Sequence, residues 1–235
     1  MSEHAPVNAS IAYLTSLYPR ASDTFIRREV AALRRLGHRV ETFSVRRPDA
    51  GQIVGDDVRR EAASTTTLLE RPLALLADGA RAIATRPGRT LAALRAIWRI
   101  GPAGVRARIW QIAYLAEACR LARALRTREI DVLHNHIGEN SATVAMAASI
   151  ISGVPFTQTI HGPGIFFSAH RWGLGQKIER SAFTACISDF CRSQCMIFCS
   201  HEHWNRLRII RCGVDERFTD ESPAPPSEAP RLVCV

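Results

Sequence analysis

The chain has 235 residues, a formal net charge of +9 and 46% hydrophobic residues. That length holds one large core, or one domain and part of another, and no run of about 18 apolar residues is present to cross a bilayer. The positive charge favours anionic partners such as lipid head groups, nucleic acid or phosphorylated substrates, and the N-terminus lacks the basic and apolar regions of a secretory signal, so a cytoplasmic location is expected.

Residues 9–15, ASIAYLT, read as a first strand, broken at Tyr18-Pro19. Ser22 or Asp23 can cap a helix running to about Leu36, with Ile26, Val30, Leu33 and Leu36 on its buried face and Gly37 closing it. Arg39 to Val45 follows as a second strand, which makes a βαβ unit with parallel strands and a right-handed crossover. Residues 46–64 read as polar loop and 65–69 as a third strand. Arg71 to Arg128 is rich in Ala, Leu and Arg, and Pro87-Gly88 and Gly101-Pro102 divide it into three helices. A strand is expected at 130–134, an Ala-rich helix at 140–151 and a strand at 155–160. Helix at 178–182, strand at 183–187, helix at 189–198 and strand at 206–211 complete the pattern. Asp220 to Pro230, with four prolines and three acids, reads as a linker, and Arg231 to Val235 as the opening of a further strand. The expectation is therefore an α/β chain: a Rossmann-like parallel sheet flanked by helices over 1–218, a linker at 219–230, and the first strand of a second domain at 231–235.

Ligands bind open α/β sheets at the carboxyl edge, so the strand ends hold the candidate site. His161 sits where the strand ending in Thr159-Ile160 breaks into Gly162-Pro163-Gly164. Its ring can hydrogen-bond a ligand hydroxyl and titrate near neutrality; the plain alternative is a histidine bonding backbone at a strand end. His134 and His136 share one face if their strand continues through both, and point independently if it ends at His134. Of the two, His136 is nearer the sheet edge and is the better site candidate, with a structural role as the alternative. Ser22 and Thr24 stand at a helix N-terminus, where unpaired N–H groups and the helix dipole favour phosphate; ordinary capping is the other role open to them. Glu29, two turns into that helix, can orient a bound hydroxyl or serve as a solvated charge beside Arg28 or Arg34.

Six of the seven cysteines follow residue 185, and reduced thiols are the default without a secretory signal. Cys191, Cys195 and Cys199 are four apart. Thiols rising along one helix face do not converge on a tetrahedral ion, so a buried apolar stripe is expected and no metal. From Arg71 to Arg128 there are twelve arginines against only Asp78 and Glu117. These form a solvated helix face, a docking surface for anionic lipid, or a nucleic-acid surface; no reading motif accompanies them, so nucleic acid is not expected as a partner. No Gly-x-Ser-x-Gly elbow, Walker A sequence or Gly-x-Gly-x-x-Gly fingerprint occurs.

Four stretches, in this order and spacing, resemble the N-terminal half of a GT-B glycosyltransferase of the family-4 kind found in bacterial exopolysaccharide and colanic-acid pathways. They are YPRASDTFIRRE (18–29) with LRRLGHRV (33–40); DVLHNH (131–136) with the following Ala-rich helix; GVPFTQTIHGP (153–163); and CISDF (186–190) with RCGVD (211–215) and Phe218. Gly164 stands where many relatives carry an acidic residue, and the first loop lacks the glycines common among them. The resemblance implies two Rossmann-like domains with the active site between them, and a retaining transfer of a sugar from a nucleotide-sugar donor to a glycan or lipid-linked acceptor without metal or cofactor. It implies that His161 contacts the donor sugar as the catalytic-side histidine, that Gly162 shapes that contact, and that the loop carrying Ser22 and Thr24 approaches donor phosphate and acceptor. The second domain, with most nucleotide contacts and a paired glutamate motif, is not in this sequence, so the chain alone is expected to be inactive. A non-catalytic module binding glycan or anionic lipid is the alternative, and either could sit peripherally on the inner face of the cell membrane.

Overall fold

The computed structural model describes residues 8–213. The expected linker, the strand at 231–235, Asp215 and Phe218 lie outside the described residues. In chain order the elements are β1 (Ser10–Leu17), α1 (Thr24–Arg35), β2 (Arg39–Arg46), α2 (Asp56–Ser64), β3 (Thr66–Thr67), α3 (Pro72–Thr85), α4 (Pro87–Ile100), α5 (Val105–Thr127) and β4 (Val132–His136). They continue with α6 (Asn140–Ser152), β5 (Phe156–Ile160), α7 (Leu174–Arg180), β6 (Thr184–Cys186), α8 (Asp189–Phe198) and β7 (Leu207–Ile209). Short 3₁₀ turns cover Ala50–Gln52, Gly164–Ser168 and His201–Arg206.

All the strands pair in parallel, in the order β3-β2-β1-β4-β5-β6-β7. The chain winds outward from β1 in one direction through β2 and β3, and in the other through β4 to β7. The reversal lies between β1 and β4, and a crevice opens there at the carboxyl edge. The hydroxyl of Ser16 bridges it, donating to Asn140 Oδ1 at 2.6 Å.

Alternation along the strands divides the core. Ala12, Leu14, Phe43, Val45, Leu133 and Phe156 face one side and pack with α3–α6. The Ala-rich α6 is almost wholly buried there, its small side chains admitting close neighbours on several sides. Tyr13 and Val40 face the other side and meet Ile26 and Val30 of α1. Since α1 covers only the β1–β2 half, an open groove of about 620 Å³ crosses the remaining strands, lined by Tyr13, Phe25, Leu33, Ala185 and Ile187 among others, and ending at His161.

The structure departs locally from the expected pattern. Residues 56–64 form a helix rather than a loop, opened by Asp56 and Asp57, whose charges suit a helix N-terminus. Only Val58 of that helix is buried, so it carries no apolar period to read. Ion pairs Arg27–Asp57 and Arg34–Glu61 fasten it to α1. The third strand shortens to two residues, although Leu68 and Leu69 still donate to the carbonyls of Ser44 and Val45. The strand expected at 130–134 runs from Val132 through His136. The helix before β6 begins at Leu174 rather than 178. The three helices of 71–128 divide at the expected prolines and glycine.

Candidate functional site

Because β4 continues through His136, His134 and His136 lie on one face, and the register sets Tyr13 beside His134, His134 beside Thr157, and His136 beside Thr159. His161, two residues past Thr159, follows the same face at the end of β5. The result is a layer of rings: Tyr13 and His136 stack at 5.5 Å, His136 and His161 at 5.3 Å, and Phe25 of α1 meets His161 at 4.7 Å.

The polar atoms of this layer form a chain. Tyr13 Oη donates to Glu29 Oε1 at 2.5 Å. Glu29 Oε2 lies 3.6 Å from His136 Nε2, which has no hydrogen-bond partner although fully buried. His136 Nδ1 and His161 Nε2 are 3.0 Å apart. His134 is held on both nitrogens, by Thr157 Oγ1 at 2.7 Å and Thr159 Oγ1 at 3.0 Å.

Burial sets the charges. Desolvation pushes His134 down to about 4 and His136 well below the usual histidine range, and the three histidines repel one another's protons. Desolvation lowers His161 as well, less so because Cys191 opposes it. All three rings are therefore neutral near pH 7. Burial raises Glu29 against the opposing hydrogen bond from Tyr13. If the proton of His136 sits on Nε2, toward the Glu29 carboxylate, its Nδ1 accepts from His161 Nε2–H. That leaves His161 Nδ1 as a neutral acceptor for a hydroxyl.

The sequence-derived residues divide accordingly. His161, His136 and Glu29 come together in one chain of contacts. Ser22, just before the N-cap residue, and Thr24, the first residue of α1, are exposed; Phe25, which meets His161, follows Thr24. Asp23 is the N-cap residue but does not cap; its carboxylate instead accepts from the backbone N–H and guanidinium of Arg20. Gly162 has φ +36°, and a Cβ there would lie 2.8 Å from Phe166 Cε2, so the tight exit from β5 needs glycine. Sequence reasoning missed Tyr13, Phe25, His134 as a buffered neighbour, and the two threonines. The period-two alternation of β1, β4 and β5 was the available signal for all but Phe25.

Lys177 was also missed. It is fully buried, and its Nζ donates to the carbonyls of Gly138 and Glu139 at 2.8 and 2.6 Å, fixing the loop that follows His136. Burial lowers it to about 7. The cysteine stripe is corrected in part. Cys191 and Cys195 are buried along α8, but Cys199 turns away as the residue closing that helix. Cys186, at the end of β6, takes its place, and the three thiols lie within 4.8 Å of one another. Cys191, hydrogen-bonded by both neighbouring thiols, is held below the usual thiol range. Glu29, His134 and His136 form a second such trio, in which both nitrogens of His134 are already engaged by threonines.

A parallel doubly wound sheet with its polar side chains gathered at the carboxyl edge, next to the switch point, defines a Rossmann-like ligand-binding domain. The chain belongs to Glycosyltransferase Family 4, whose profile matches residues 22–218. It is also similar to a glycosyltransferase from Rickettsia africae of known crystal structure, at 14% identity and a TM-score of 0.49, over 91% of this chain and 46% of that one. The chain thus spans about half the length of that structure. No curated protein matches it significantly. No helix among the described residues is long and apolar enough to cross a membrane.

Proposed function

We propose that the chain is the acceptor-side half of a retaining GT-B glycosyltransferase. The whole protein would move a hexose from a nucleotide-sugar donor to a lipid-linked glycan in exopolysaccharide synthesis. The observation that carries this reading is the contact chain Tyr13–Glu29–His136–His161 at the edge of a family-4 sheet. It presents a neutral, oriented imidazole where a sugar hydroxyl would lie. Ser22 and Thr24, at the N-terminus of α1, meet phosphate or acceptor, and Gly162 keeps the His161 loop low. The reading assigns no metal or cofactor to the transfer step and leaves the oxocarbenium-like charge to the second half. Sugar transfer by the full-length protein, followed as nucleotide release, tests it. His161→Ala should lower turnover roughly a hundredfold, the scale of a lost orienting contact, with the fold unchanged. Full activity in that variant would overturn the reading, and sugar transfer by the 235-residue chain alone would overturn the assignment of the nucleotide site to the second half.

We further propose that α3–α5 rest on anionic lipid at the inner face of the cell membrane. Among the described residues, nine of the fifteen large apolar side chains that stand exposed lie between Leu73 and Ile112, including Leu76, Val105 and Ile109. They share this segment with most of the twelve arginines. Exposed apolar groups among arginines are the composition of an interfacial helix face rather than of a solvated one.

A further inference from the structure

A second cleft opens at the carboxyl edge, on the side of the sheet away from α1. Its two lobes, about 360 and 700 Å³, share Ile100, Pro102, Ala107, Trp110 and Arg171. Its charge is one-sided. Arg46, at the end of β2, and Arg171, after the 3₁₀ turn that follows His161, line one lobe; Arg99 and Arg106, from the α4–α5 turn, line the other. Among the described residues no carboxylate lines either lobe. Among the described residues these four guanidinium groups make no ion pair with a carboxylate. Glu117, the acid that acts on Arg46, is buried and pushed up to about 7, so it supplies no full compensating charge.

A buried amide also borders this cleft. Gln111 lines the smaller lobe, is 5% exposed, and its Oε1 has no hydrogen-bond partner. Beside it Trp110 and Tyr114, whose rings stack on each other at 6.4 Å, line the same lobe.

We propose that this cleft binds the phosphate or diphosphate group of the acceptor, with Arg46 and Arg171 holding the phosphate oxygens and Trp110 and Tyr114 packing the adjoining sugar or lipid carbons. Planar guanidinium forks suit phosphate oxygens, and aromatic faces suit the apolar side of a sugar ring. The inference deepens the acceptor role proposed above and rests on it for the identity of the ligand. The exposed Val105 and Ile109 near the larger lobe place a lipid-borne phosphate within reach of the membrane face.

The chain as it stands can be titrated calorimetrically with inorganic pyrophosphate. Saturable binding, one per chain, is expected, weakened about tenfold or more in Arg46→Gln/Arg171→Gln, since each charge-assisted contact is among the stronger hydrogen bonds. Arg59→Gln/Arg60→Gln on α2 serves as the control of equal charge loss and should bind as the parent does. Equal weakening in both pairs, or none in the first, would overturn the site. Flotation with phosphatidylcholine vesicles carrying a polyprenyl phosphate separates the sources. Capture lost in the Arg46/Arg171 pair supports a lipid-borne acceptor; pyrophosphate binding without such capture supports the site and overturns the lipid source. If pyrophosphate binds as expected but the full-length protein transfers no sugar, the cleft stands and the glycosyltransferase reading falls. If transfer proceeds and pyrophosphate does not bind, the cleft inference alone falls.

Discussion

At the residue scale, the histidine layer couples the site to the stability of the sheet. His134 is buried neutral, with a folded value of about 4 against an ordinary 6.5. Between those limits the unfolded chain binds the extra proton, so stability rises with pH across the window and is lost as pH falls from 6.5 toward 4. At full separation the effect of one such group approaches about 1.4 kcal/mol per pH unit. His134→Gln should therefore reduce the slope of urea-unfolding free energy against pH between 6.5 and 5, leaving the share contributed by the likewise buried His136 and His161. An unchanged slope would show that His134 is not held neutral. Lys177 works in the same sense at higher pH: lowered to about 7, it makes the fold gain stability as pH rises from 7 toward 10.5. Lys177→Met should remove that gain, and the two carbonyls it leaves behind cost about 1–3 kcal/mol each if buried unpaired. His161 was legible in the sequence because a strand ending in His-Gly-Pro marks a sheet edge. The layer around it was not, because Tyr13, His136 and Glu29 come from three elements whose register only pairing decides.

At the element scale, two glycines separate propensity from packing. Gly79 lies inside α3 with open space where a Cβ would stand. Gly79→Ala should raise stability by about 1 kcal/mol, the helix-propensity difference, measurable as a shift in the urea midpoint. Gly175 lies in α7, where a Cβ would fall 1.9 Å from the Phe198 carbonyl oxygen. Gly175→Ala must push α7 off the end of α8 and should cost several kcal/mol, among the largest single-residue effects; a midpoint like the parent's would show that the helices give way freely. The same contrast explains which elements were readable. The helices of 71–128 are punctuated by Pro87 and Gly101-Pro102, a local signal. Helix α2 is held by ion pairs to α1 and buries only Val58, so nothing local announces it.

At the scale of the whole molecule, the two faces of the sheet carry different surfaces. One side bears the helices with exposed apolar groups among arginines; the other leaves a groove over β4–β6 ending at His161. Membrane docking through the helical side predicts binding to anionic vesicles that weakens steeply with salt, since surface charges are screened beyond roughly 8–10 Å at physiological ionic strength. Trp98 and Trp110, both partly exposed on this side, should report it as a blue shift in fluorescence. Equal binding to neutral vesicles, or indifference to salt, would refute the electrostatic part.

The sequence by itself determined the α/β class, the parallel crossover, the three basic helices and the position of His161, because these depend on apolar period, chain breakers and composition, which are local properties. The tertiary structure decided the rest. Whether β4 ran through His136 depended on hydrogen bonds to β1 and β5, and that choice alone placed His134 and His136 on one face. Which cysteines converge depended on the end of β6 meeting α8. The cleft of Arg46, Arg99, Arg106 and Arg171 draws on residues up to 125 positions apart, counting from 46 to 171. Such convergence is a property of the winding of the sheet, and no local stretch of the chain contains it.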